Sequence, residues 1–198
     1  MENLTLKTDE ELAYMYINGS NRAFDIILKR NQSKLFNYIL FVVRDEDIAN
    51  DLFQDTFVKV IVKLHDGKYT DSGKFSSWVL RIAHNVIMDY YREQKGDKIV
   101  EQKDTNDLSK IKSENVIEGF IENDIINTQT LKDVQNMMNM LPTPQREVVY
   151  MRFYQDMSFK EIADATQVSI NTSLGRMRYA ILNMRKMARE HNISLSML

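Results

Sequence analysis

The sequence predicts an all-α protein of two small helical domains joined by a polar linker. Three observations carry this. Apolar residues recur at helical spacing through most of the chain, with no alternating run long enough for a strand. The 198 residues include 2 Pro and 6 Gly, too few for a many-turned β-sandwich. One stretch, 96–129, breaks the helical pattern: it opens on Gly96-Asp97 and holds few apolar residues from Glu101 to Asn115. The expected boundaries are therefore 1–95, 96–129 and 130–198.

The elements follow in order. Thr8-Asp9-Glu10-Glu11 has the spacing of a capping box, with Thr8 as cap and Glu11 reaching back. The acids of that first turn suit the positive end of the helix dipole. Residues 21–43, 46–65 and 74–94 each read as a long amphipathic helix, with a loop from Asp66 to Gly73 between the last two. After the linker, Pro142 and Pro144 interrupt the pattern, leaving helices over roughly 130–140, 144–154, 158–165 and 169–188.

Composition narrows the function classes. Hydrophobic residues make up 43% and charged residues 27% of the chain, as in globular domains. There is no Cys, which removes disulfides, thiolate metal sites and a cysteine nucleophile and fits a cytoplasmic location. No apolar run is long enough to span a bilayer. Met1-Glu2-Asn3-Leu4 lacks the basic and apolar stretches of a signal peptide. The net charge of −2 hides an asymmetry. Residues 93–130 hold 5 basic and 9 acidic groups, whereas 131–198 hold 9 and 6, so a basic end follows an acidic middle.

In the second half, Ser158-Phe159-Lys160-Glu161 is another capping box, opening a short helix. Thr166-Gln167-Val168 reads as a turn, and Ser169 can cap a following helix. This is the outline of a helix-turn-helix. A helical wheel puts Ile170, Leu174, Met177, Ile181, Met184 and Ala188 on the core side of the second helix. Asn171, Thr172, Gly175, Arg176, Tyr179, Asn183 and Lys186 fall opposite. Such a face either reads the major groove, where Arg pairs with guanine and Asn with adenine, or is an ordinary solvated surface. Of the 12 Met, 9 lie at 137 or later and read as core filling.

Two helices of the first half carry unusual outer faces. The helix over 46–65 sets Ala49, Phe53, Phe57, Val60 and Leu64 inward. Asp47, Asp51, Gln54 and Asp55 point outward together with Ile48, Val58 and Val62. Acids mixed with apolar residues suit a partly apolar, basic protein partner; stray valines on a charged surface are the alternative. The helix over 74–94 sets Val79, Ala83, Val86, Ile87 and Tyr90 inward and Lys74, Arg81, Arg92 and Lys95 in a narrow opposite sector with Ser77, Asn85 and Met88. Trp78 lies at its margin. A basic stripe edged by an aromatic suits single-stranded nucleic acid; a half-buried Trp78 beside solvated cations is the alternative.

Together these pieces resemble a bacterial sigma-70 family RNA polymerase sigma factor of the extracytoplasmic-function (ECF) group. The residues that carry the resemblance are Asp51 to Val60, Phe75 to Asn85 and Asp89-Tyr90-Tyr91-Arg92 in the first half. In the second they are Leu141-Pro142, Arg146-Glu147-Val148, Met157 to Ala163 and Val168 to Thr172. The resemblance implies that 1–95 is sigma region 2 and 130–198 sigma region 4. It implies core-polymerase contacts, on the β′ clamp helices, from Asp51, Gln54, Asp55, Val58 and Lys59. It implies −10 element contacts from Lys68, Lys74, Trp78, Arg81, Asn85 and Arg92, with the Lys68–Gly73 loop holding a flipped base. It implies −35 element contacts from Lys160, Ser169, Asn171, Thr172, Arg176 and Tyr179, and a further polymerase contact at the β flap. Ser173 and Leu174 depart from the valine and lysine common in the family, and Gly175 from a common serine.

The implied protein is a specificity subunit with no catalysis, cofactor or metal of its own. Its partners are polymerase core, promoter DNA and a membrane-tethered anti-sigma factor, and it does not itself insert into the membrane. Two other classes compete. A free-standing helix-turn-helix repressor leaves the linker and the Trp78 face without a task. An enzyme with a metal held by Asp45, Glu46, Asp47, Asp51 and Asp55 is opposed by the angular spread of those acids. His65, His84 and His191 show no ligand spacing either.

Overall fold

The computed structural model describes residues 4–69, 74–95 and 128–190. Of the expected linker 96–129, residues 96–127 lie outside the described residues, as do the loop tip at 70–73 and the side chain of Lys95, and the last two residues of that linker already belong to a helix. A 3-10 turn, Leu4–Leu6, precedes α1 (Asp9–Ile17), α2 (Asn21–Val43), α3 (Glu46–His65), α4 (Phe75–Lys95), α5 (Thr128–Met140), α6 (Thr143–Phe153), α7 (Phe159–Thr166) and α8 (Ile170–Glu190). No strand occurs among the described residues. The chain divides into two compact units, one holding α1–α4, the other α5, α6, α8 and most of α7.

The first unit is built around α2. Its Ala23, Ile27, Leu35, Tyr38, Ile39 and Val42 are buried at 0–2% exposure, a near-dry stripe along one side of the helix. Fully burying each large aliphatic there contributes about 1.5–3 kcal/mol. α2 packs against α1, α3 and α4, whose Leu12 and Ala13, Ala49, Val60 and Leu64, and Val79, Ala83 and Ile87 are likewise buried. Phe53 and Tyr90, expected in the core, are only half-buried. Leu52, Thr56, Leu80, Ile82 and His84 are buried instead, because α3 and α4 have neighbours on two sides and widen their buried faces accordingly.

Helix ends are determined locally. Thr8 caps α1 as expected: Glu11 N–H donates to Thr8 Oγ1 at 3.2 Å and Thr8 N–H to Glu11 Oε2 at 2.8 Å. That bond holds the Glu11 carboxyl below its ordinary value. Asp45 caps α3, its Oδ1 accepting from Ile48 N–H at 3.0 Å. Gly67, at φ 67°, stops α3, and Lys68 N–H closes back on Lys63 O at 2.9 Å.

The consecutive acids at the start of α1 do more than the helix dipole requires. Asp9 Oδ1 receives Arg30 Nη1 at 2.8 Å and Asp9 Oδ2 receives Asn31 Nδ2 at 2.8 Å, which ties α1 to α2. Arg30 also donates to the carbonyls of Lys7 and Thr5 at 2.8 and 2.7 Å. Glu10 Oε1 receives Phe75 N–H at 2.9 Å, which ties α1 to the first residue of α4.

In the second unit α6 is the centre. Arg146, Glu147, Val148, Val149, Tyr150 and Met151 are consecutive and buried, so neighbours cover most of the helix. Arg146 Nη1 donates to Asn139 O at 3.2 Å, and Gln145 Oε1 accepts from Asn183 Nδ2 of α8 at 2.8 Å. Burial pushes the hydroxyls of Tyr150 and Tyr154 up from their ordinary value, although a bond with Gln155 opposes this at Tyr150. The two rings stack at 5.1 Å.

Candidate functional site

Three surfaces carry the expected site residues. On α3, the buried set from Ala49 to Leu64 leaves Asp51, Gln54, Asp55, Val58 and Lys59 all exposed. Val58 and Val62 are 59% and 51% exposed, so apolar surface stands beside the acids. Asp51 and Asp55 line a groove of about 220 Å³ between α3 and α4, with Ile48, Val86, Tyr90 and Glu93. Lys59 Nζ, 3.8 Å from Asp89 Oδ2, stands at the end of this groove. Beyond that pair a larger groove of about 420 Å³ continues, with Val58, Val62 and Ile82 between Lys63, Lys68 and Asn85.

The second surface is α4. Because the helix runs unbroken from Phe75 to Lys95, Arg81, Asn85 and Arg92 align along one side, just after Lys74. Lys74, Arg81 and Arg92 are exposed and Asn85 is half-buried against the larger groove. Arg92 Nη1 donates to Asp89 Oδ1. Lys68 Nζ binds Asp66 Oδ2 at 2.8 Å and holds that carboxyl below its usual value. Trp78 is half-buried: its ring lies 5.0 Å from Tyr69 and 5.7 Å from Phe75, which are 5.6 Å from each other. Its ring is part of an aromatic cluster and stays partly exposed.

The third surface is the helix-turn-helix. Ser158 caps α7: Glu161 N–H donates to Ser158 Oγ at 3.3 Å, and Ser158 N–H donates to Glu161 Oε2 at 2.7 Å. Gln167, at φ 55°, reverses the chain, with Val168 N–H bonded to Ala163 O at 3.0 Å. Ser169 Oγ accepts from Thr172 N–H at 3.0 Å and pairs with Thr172 Oγ1 at 2.8 Å. Two expected site residues thus engage each other at the helix start. Lys160, Asn171 and Tyr179 are exposed and Arg176 is half-buried.

The register of α8 differs from the expected one. Ser173, Met177, Ala180, Met187 and Ala188 are its buried residues. Ile170, Leu174 and Ile181, expected in the core, are 46%, 44% and 39% exposed, and Met184 is half-buried. α8 packs on α5 and α6, and its fully buried Ser173 and Ala180 mark an inward side that a search for large apolar residues passes over. The rotation draws Asn183 to the core edge, where Gln145 binds it, and turns Arg178 outward. Arg178 is absent from the expected site. Its spacing, seven residues after Asn171 and three after Gly175, was the available signal. A Cβ at Gly175 would meet nothing within 4 Å, so the outer face is open there.

Among the described residues, no group of His, Asp and Glu could hold a metal ion, and no helix is long and apolar enough to cross a membrane. The first unit thus sets exposed acids and valines on α3 and a line of cations on α4, and the later helices form a capped helix-turn-helix.

Comparison with known proteins gives the class. The Sigma-70 region 2 family matches residues 27–96 and the Sigma-70, region 4 family matches residues 131–173, together more than half of the chain. The chain belongs to the sigma-70 family, and its relatives place it in the ECF group of RNA polymerase sigma factors. Sigma factors are transcription initiation factors rather than classical enzymes. The chain is 23% identical over 175 residues to the ECF RNA polymerase sigma factor SigW of Bacillus subtilis, covering 87% of this chain and 92% of SigW. It is 25% identical over 177 residues to the RNA polymerase sigma-H factor of Pseudomonas aeruginosa, covering 88% and 90%. Its fold resembles that of CnrH, solved in complex with the cytosolic domain of CnrY (TM-score 0.63, 23% identity, 92% of this chain and 97% of that one). It also resembles sigma factor RpoE of Bartonella quintana, solved with the anti-sigma factor NepR (TM-score 0.62, 20% identity, 84% and 96%).

Proposed function

We propose that this sigma factor joins core polymerase through the exposed face of α3, captures the melted −10 strand on α4 and reads the −35 element with α8. The observation that carries this reading is the segregation of charge between adjacent helices. Asp51 and Asp55 line one groove of the α3–α4 pair, while Arg81, Asn85 and Arg92 follow Lys74 along α4. An acidic, partly apolar face suits a basic protein surface, and a row of cations suits phosphates. For α8, the exposed Asn171, Arg178 and Tyr179 supply groups able to meet base edges and backbone.

The mechanism follows from weak parts joined on one polymerase. Each DNA-facing surface is small, so its affinity alone is low. Docking on core raises the effective concentration of both at a promoter. The subunit itself makes and breaks no covalent bond. On this reading 1–95 and 130–198 are the two working regions, and the cytoplasm, where polymerase is found, is the place of action. An anti-sigma factor, as in the solved complexes of CnrH and RpoE, is the regulator we extend to this chain.

Run-off transcription with bacterial core polymerase on sheared host DNA tests this. Discrete transcripts that need the protein support the reading. Lys74→Ala and Arg176→Ala are expected to reduce them while comigration with core persists. Transcripts unchanged by both variants overturn the DNA-contact assignment.

A further inference from the structure

We infer that Glu10, on α1, is a positioning residue for −10 strand capture: its carboxylate caps α4 and sets the first turn that carries Lys74 and Trp78. This rests on the reading of α4 given above. A helix leaves its first N–H groups without partners inside the helix. For α4 an acceptor comes from 65 residues earlier in the chain, as Glu10 Oε1 takes the Phe75 N–H at 2.9 Å. A negative group at that end also opposes the positive end of the α4 dipole.

Both ends of this link are held. On one side Asp9, the neighbour of Glu10, is bound by Arg30 and Asn31, so the start of α1 cannot swing away from α2. On the other side Phe75 is 1% exposed and its ring packs against Trp78 and Tyr69. Trp78 N–H donates to Lys74 O at 3.3 Å, which makes Lys74 part of the same turn. Arg30, Asp9, Glu10, Phe75 and Trp78 thus form a continuous chain of contacts from α2 to the start of the cationic row. Losing the Glu10 acceptor frees the turn that holds Lys74 and the open side of Trp78, while the α3 face and the rest of α4 keep their own supports.

The test uses holoenzyme assembled from core polymerase and the full chain. Its probe is a fluorescent single-stranded oligonucleotide spanning the −10 element mapped for the wild type. Glu10→Ala and Glu10→Asp, which keeps the charge but shortens the reach, are expected to weaken oligonucleotide binding about fivefold, the scale of one lost hydrogen bond. Glu10→Gln, which can still accept from Phe75 N–H, is expected to stay within about twofold of wild type. Affinity for core is expected to be unchanged in all three. Glu11→Ala is the control: it breaks the Thr8 cap of the same helix without touching α4, and is expected to lower thermal stability but leave oligonucleotide binding intact. Wild-type binding by both Glu10→Ala and Glu10→Asp, failure of Glu10→Gln to restore binding, or an equal loss in Glu11→Ala overturns the inference. Should Glu10→Ala not fold, Glu10→Asp and Glu10→Gln decide it alone. Wild-type holoenzyme that fails to bind the oligonucleotide at all would instead overturn the assignment of α4.

Discussion

Lys59 of α3 and Asp89 of α4 meet across the two helices, Nζ to Oδ2 at 3.8 Å, and the same carboxylate binds Arg92. The pair lies where the acid-lined groove gives way to the larger one lined by lysines. Asp89 therefore neutralises part of the cationic row on α4. Asp89→Asn is expected to raise affinity for single-stranded DNA two- to threefold at low salt and to steepen its salt dependence, since Arg92 of the cationic row is released for phosphates. Stability should change by less than about 1 kcal/mol, because both partners are nearly half exposed. Titrations at several salt concentrations check the first and thermal melts the second.

Charge reversal on α3 should act on a different partner. Asp51→Lys with Asp55→Lys is expected to lower affinity for core polymerase at least tenfold at low salt, with the loss shrinking as salt rises. Both residues are exposed, so the fold should persist. Competition against a labelled wild-type chain measures this, and unchanged competition would remove the docking assignment.

The rotated face of α8 makes Arg178 a stronger candidate for DNA contact than sequence spacing suggested. Arg178→Ala is expected to cost about 1–3 kcal/mol at promoters with an intact −35 element. On templates whose −35 element is scrambled it should change little. Run-off yields on the two templates give the comparison, and an equal loss on both would point to a general phosphate contact.

Alkali should loosen the second unit. Burial raises the hydroxyls of Tyr150 and Tyr154 above the ordinary value of 10.0. A raised folded value means that the stabilising contribution is whole below pH 10 and is lost as pH climbs through the folded values. Helical signal should therefore fall above that pH as these two hydroxyls ionise. Tyr154→Phe should keep helix to higher pH; a pH dependence unchanged in this variant would contradict the burial account.

Much of the helical skeleton was legible because its signals are local. Caps at Thr8, Ser158 and Ser169, the stop at Gly67 and the period of the long helices all act within a few residues. The ties of Asp9 and Glu10 were not legible as such. Both looked like ordinary first-turn acids, and their partners lie more than 20 residues away. The register of α8 was misread for a related reason. Its buried side is marked by Ser173 and Ala180, whose small size matters only once the helices packed on α8 are known. Among the site residues, exposure of Asp51, Asp55 and Arg81 and the marginal position of Trp78 followed from the wheel, whereas the half-burial of Arg176 depended on neighbours that the wheel does not contain.

The close mounting of α8 on Ser173 and Ala180 separates what the helix stands on from what it displays. Neither small residue shares a side with Asn171, Gly175 or Arg178, so exchanging the displayed residues leaves the seat undisturbed. On the proposed reading of α8, promoter preference can be rewritten one surface residue at a time, at little cost in folding. Enlarging either seat residue would instead tilt the whole display and move all of its exposed residues together. Such a helix is a replaceable plate on a permanent fitting.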